Sequence, residues 1–95
     1  MTDFRIFETE EFIKSLNRLD LKKQRLVESK LGKQIYPQLR NQPYYGPHIR
    51  KLRGYKPEIW RYRIGNYRIF FAINEQTRVV AMLTIDDRKD SYQHN

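Results

Sequence analysis

Between residues 59 and 73 apolar and polar side chains alternate on either side of a Gly65-Asn66 pair, and this stretch constrains the fold most. A two-residue loop with glycine at its first central position twists in the sense of the flanking strands, so the segment reads as a β-hairpin. The loop sets the register, with 64 opposite 67, 63 opposite 68, 62 opposite 69 and 61 opposite 70. Side chains alternate along a strand, so Trp60, Tyr62 and Ile64 share a face with Tyr67, Ile69, Phe71 and Ile73. That is the expected core face, and Arg61, Arg63 and Arg68 fall on the other. Arg63 and Arg68 then stand directly opposite each other, a like-charge pairing that costs a few tenths to about 1 kcal/mol. A bound phosphate would offset it, because guanidinium forks match phosphate oxygens two at a time. Acidic residues are scarce nearby, so neutralisation from within the chain is expected to be incomplete.

Upstream, Phe4 and Ile6 flank Arg5 in a short strand. Thr9 followed by Glu10 and Glu11 makes a helix start, since the hydroxyl caps free amides and the carboxylates suit the positive end of the dipole. Phe12, Leu16 and Leu19 give that helix one apolar face. Asp20 caps a second helix in which Val27, Leu31 and Ile35 repeat every four residues, while Lys22, Lys23, Arg25, Lys30 and Lys33 cover the remainder. A helix hairpin over residues 9–36 follows. Pro37, Pro43, Gly46 and Pro47 predict a loop over 37–48, packed by Leu39, Tyr44 and Tyr45. Strands are expected at 49–52, 59–64, 67–73 and 78–85. The class is α+β: an N-terminal strand, a helix hairpin, then a mostly antiparallel twisted sheet with the helices on one face. Residues 1–95 form a single domain, too short for a second core.

Charge narrows the possible partners. The net charge is +8, and between Arg50 and Arg68 seven basic residues meet one acid, Glu58. Such a surface seeks a polyanion or an acidic partner. The absence of cysteine excludes disulfide scaffolds, thiolate metal sites and thiol catalysis. Asp86 and Asp87 have no His or Cys beside them and read as a solvated turn rather than a metal pair, and His48 and His94 as surface residues. No apolar run resembles a signal peptide or a membrane span, so a soluble cytoplasmic protein is expected.

Two stretches carry a family resemblance. Lys51-Leu52-Arg53-Gly54 leads through an aromatic and basic strand to Gly65-Asn66-Tyr67-Arg68-Ile69, and the chain closes with Ile85-Asp86-Asp87-Arg88-Lys89-Asp90-Ser91-Tyr92. Together they resemble the RelE/ParE superfamily of small bacterial toxins, closer to its RelE branch. For RelE-type members the resemblance implies cleavage of messenger RNA in the ribosomal A site and neutralisation by a cognate antitoxin, which would also mediate oligomerisation. It places catalytic roles on Arg61, Arg63, Arg68, Arg88 and Tyr92. Arg50, Lys51, Arg53, Lys56 and Lys89 would then contact RNA. RelE itself has lysines where Arg61 and Arg63 stand, and many relatives have His where Asp87 stands. Arginine holds its proton, so Arg61 and Arg63 suit charge stabilisation rather than base catalysis. Tyr92, or Asp87 if buried near it, are the remaining bases.

The chemistry implied is attack of a ribose 2′-hydroxyl on the adjacent phosphorus, which calls for no metal and no cofactor because the nucleophile belongs to the substrate. Two alternatives differ in class. One is a ParE-like poison of DNA gyrase that leaves RNA intact, and the other a non-catalytic basic domain that binds RNA or a partner.

Overall fold

The computed structural model describes residues 3–87, which form β1 (Arg5–Glu8), α1 (Glu10–Asn17), α2 (Leu21–Lys30), a π-helical segment (Leu31–Ile35), α3 (Tyr36–Asn41), β2 (Ile49–Lys51), β3 (Trp60–Ile64), β4 (Tyr67–Asn74) and β5 (Val79–Asp87). Both expected caps form. The Thr9 hydroxyl accepts the Phe12 amide at 3.1 Å, and the Asp20 carboxylate accepts that of Lys23 at 2.9 Å.

The strands form one sheet in the order β1-β5-β4-β3-β2. β1 runs parallel to β5, and every other neighbouring pair is antiparallel. The β3–β4 hairpin has the expected register, Arg63 opposite Arg68 and Ile64 opposite Tyr67. Gly65 supplies the turn's positive φ of 54°, a conformation that costs a β-carbon-free residue nothing.

The inner face carries Tyr62, Ile69 and Phe71, all fully buried against Phe12, Leu16, Val27, Leu31 and Ile35 from the helices. Leu19 and Trp60 pack at the margin of this core, half-buried. Trp60 stacks on Phe71 and meets Tyr44 edge-on at 5.5 Å. The Tyr62 hydroxyl, deep inside, donates to Gln38 at 2.7 Å and accepts from Gln34 at 3.1 Å, so burying the phenol leaves no polar atom stranded.

The expected loop over 37–48 is mostly helix in its first half, since α3 runs to Asn41 and only 42–48 is irregular. The reason lies in the π-helical segment. Val27, Leu31, Ile35 and Leu39 recur every four residues, and at 3.6 residues per turn such a stripe drifts about 40° per step. A widened turn takes up the drift and keeps all four buried. The same turn, closed by the Tyr36 amide on the Leu31 carbonyl, lets a helix pass through Pro37, which has no amide to give. Tyr44 packs between Phe4 and Trp60, whereas Tyr45 is exposed.

A second correction concerns the end of the sheet. Asp86 and Asp87 are the last residues of β5, and Asp87 is buried. β5 also carries a bulge, with Phe70 opposite Thr84 but Phe71 opposite Met82, leaving Leu83 as the extra residue. Beyond the end of β1, α1 completes the edge of β5. Thr9 bonds the Met82 carbonyl, and the buried Ser15 hydroxyl accepts the Ile85 amide at 3.0 Å while donating to the Phe12 carbonyl at 2.8 Å. Removing this acceptor strands a buried amide. Ser15→Ala is therefore expected to cost about 1–3 kcal/mol, measured as a lowered urea midpoint with an unchanged slope; an unchanged midpoint would show that the clip contributes nothing.

Candidate nucleic-acid interface

The outer face of the sheet bears the basic residues in two cross-strand rows. One runs Arg50, Arg61, Phe70, Thr84 and the next Arg63, Arg68, Asp86. The hairpin register sets one pair in each row, Arg61 opposite Phe70 and Arg63 opposite Arg68, and the β2–β3 and β4–β5 pairings extend them, because antiparallel partners share a face. Among the described residues no acid forms an ion pair with Arg50, Arg61 or Arg63. Arg61 sits at the centre, and its Nε, like that of Arg68, is buried without a hydrogen-bond partner among the described residues. Burial first, then the charges of Arg50, Arg63 and Arg68, lowers its pKa from the usual arginine value. An anion approaching this group relieves the crowding of like charges as well as gaining its own contacts.

Arg68 departs from expectation. Its guanidinium is paired with Asp86, its cross-strand neighbour on β5, so neutralisation from within the chain is incomplete for Arg50, Arg61 and Arg63 but not for Arg68. The carboxylate offsets part of the Arg63/Arg68 repulsion without any ligand. Asp87 faces the opposite way and binds Lys23 of α2 at 3.0 Å, which ties the end of β5 to the helices.

The remaining basic positions divide. Arg50, Arg53 and Arg61 line a shallow cavity of about 550 Å³ beside the rows, with Lys51 and Leu52. The Lys51 ammonium is directed elsewhere, to Glu58 at 3.2 Å and over the Trp60 ring at 5.9 Å, so it does not join the arginine face. Lys56 is exposed in the β2–β3 connection. Arg88, Lys89 and Tyr92 lie outside the described residues. Asp86 is the contributor that sequence reasoning missed, and no local signal marks it. Among the described residues there is no cluster of three or more His, Cys, Asp or Glu side chains, and no helix is long and apolar enough to cross a membrane.

A small α+β domain that presents an open, cationic sheet face is thus the class defined by the geometry, and comparison with known proteins supplies the family. A family profile described as the ParE toxin of the type II toxin-antitoxin system parDE matches residues 6–92, and the chain belongs to this RelE/ParE family. Solved structures agree on the fold. RelBE2, a toxin-antitoxin complex from Mycobacterium tuberculosis, matches with a TM-score of 0.71 at 20% identity, over 90% of this chain and 99% of that one. The RelE-RelB complex of Pyrococcus horikoshii matches with a TM-score of 0.65 at 24% identity, over 93% and 97%. A mutant of E. coli toxin RelE in the free state matches with a TM-score of 0.65 at 17% identity, over 97% and 90%. No curated protein matches the chain in sequence. The protein is a toxin of a type II toxin-antitoxin system.

The Arg68–Asp86 pair yields a direct test. Both side chains are about one-third exposed, at 36% and 33%, so solvent screens the attraction and the pair is worth at most about 1 kcal/mol. A double-mutant cycle with Arg68→Ala and Asp86→Ala should give a favourable coupling of that order by thermal unfolding, shrinking as salt is added. A coupling indistinguishable from zero at low salt would remove Asp86 as the partner of Arg68.

Proposed function

We propose that this toxin cleaves translated messenger RNA on the ribosome and so arrests protein synthesis. The observation that carries the proposal is the convergence of Arg50, Arg61 and Arg63, without acidic partners among the described residues, beside Arg68 on one open face. Attack by a ribose 2′-oxygen on the adjacent phosphorus gathers negative charge on the phosphate oxygens, and guanidiniums fixed on neighbouring strands stabilise it without reorganising. The 2′-hydroxyl loses its proton as the new P–O bond forms, and the departing 5′-oxygen gains one. Arginines remain protonated at physiological pH, so Arg61, Arg63 and Arg68 hold charge, while Arg88 and Tyr92 are assigned to positioning and proton exchange. Asp87 is not retained as a base, given its burial and its bond to Lys23.

An open sheet face does little to orient a flexible strand for in-line attack, which is the reason for assigning that task to the ribosome. RNA contact is assigned to Arg50, Arg53, Lys56 and Lys89. Location in the cytoplasm follows from the substrate. A cognate antitoxin of acidic or amphipathic character would cover the arginine face, and opposite charges would make its association fast. Its rate constant should fall steeply as salt is raised, and a rate independent of salt would remove the electrostatic part of this assignment.

A gyrase-directed poison is the second reading, favoured by the ParE description of the matching family. Primer extension on a translated transcript, beside a DNA supercoiling assay after induction, separates the two. Cleavage by the wild-type chain is expected, with Arg61→Ala reducing it about a hundred- to a thousandfold, the loss typical of one charge-stabilising donor. Intact transcripts together with blocked supercoiling would establish the gyrase reading instead.

A further inference from the structure

Phe70 occupies an unusual place for a large aromatic residue. It lies half-buried on the outer face of β4, between Arg61 on one side and Thr84 on the other, and belongs neither to the buried core nor to the side chains packed against that core. Its ring makes no aromatic contact among the described residues. Two positions along the strand, Ala72 faces Ala81, and these small residues form part of an open cavity of about 640 Å³ that also includes Pro57 and Asn74. The outer face is therefore cationic toward the Gly65 turn, while toward the other end it carries the small side chains of Ala72 and Ala81. Phe70 stands at the border.

We propose that Phe70 is a base-stacking platform: a nucleobase of single-stranded RNA lies on its ring while the phosphate of the same nucleotide is held by Arg61. The inference rests on the RNA-directed reading above and adds to it a residue that contacts a base. Arg61 and Phe70 are direct cross-strand partners on one face, so a guanidinium and an aromatic ring stand side by side for the phosphate and the base of one nucleotide. Charge complementarity selects the occupant, since an apolar peptide would leave Arg50 and Arg61 unanswered. A π-face recognises every base, so the contact adds affinity with little sequence preference.

The experiment uses the whole chain freed of antitoxin and two polyanions: a short RNA with 2′-O-methyl riboses, which cannot be cut, and inorganic polyphosphate, which has no bases. Phe70→Ala should weaken RNA binding about tenfold, within the range for a lost stacking contact, and leave polyphosphate binding and the salt slope unchanged. Phe70→Trp should bind RNA as well as the wild type. Arg61→Ala should weaken both ligands and flatten the RNA salt slope by about 0.7, one phosphate contact's share. A wild-type arm needs no variant: an RNA of the same length that is abasic throughout should bind about tenfold more weakly, since no shift of register can then bring a base onto the ring. Equal loss on both polyanions for Phe70→Ala, no loss on RNA, or undiminished binding of the fully abasic RNA would each overturn the platform. If the Arg61→Ala arm behaves as stated while these fail, only the role of Phe70 falls; if Arg61→Ala alters neither ligand, the RNA-directed reading falls with it.

Discussion

The turn at Gly65-Asn66 places Ile64 opposite Tyr67, and every side chain on β3 and β4 takes its face from that pairing. Strand side chains alternate with a period of two, so a slip of one residue would carry Tyr62 and Ile69 to solvent and the arginines into the core. Burying an uncompensated guanidinium is far more costly than any contact it could make there. The register is thus held from both sides, by the apolar residues that must enter and the charged ones that must stay out. The cationic face is the obverse of the core.

Crowding cations on one face costs stability, and the fold limits that cost unevenly. Arg68 has Asp86 beside it, whereas Arg61 is half-buried among Arg50, Arg63 and Arg68 with no acidic partner among the described residues, where the Nε of each is buried without a hydrogen-bond acceptor. A partly desolvated guanidinium surrounded by like charge is in a poor state without an anion. An anion meeting this outward-directed group would relieve the crowding.

The opposite layer keeps this face rigid. β5 is bonded on one edge by β4 and on the other first by β1 and then by Thr9 and Ser15 of the α1 region. Lys23 fastens the end of the same strand to α2 through Asp87. Tyr62 reaches across the core to Gln34 and Gln38, so the strand that carries Arg61 and Arg63 is anchored by the residue between them. Guanidiniums mounted on strands restrained in this way hold their relative positions better than they would on a loop.

By itself the sequence determined whatever depends on neighbours a few residues apart. The helix caps at Thr9 and Asp20 and the hairpin register are of this kind, because each is decided by one side chain or one two-residue turn acting on adjacent backbone. The arginine face was legible for the same reason. The helix over residues 36–41 lay hidden behind Pro37, although the four-residue repeat continuing to Leu39 was its trace. Contacts across the chain left no trace at all. Arg68 and Asp86 are 18 positions apart, Lys23 and Asp87 64, and Ser15 and Ile85 70. β5 reads Val-Val-Ala-Met-Leu-Thr-Ile without alternation, and its bulge at Leu83 reverses which residues face inward. Only the packing of the core against both halves of that strand decides the parity, and so puts Asp86 beside Arg68 and Asp87 beneath the helices.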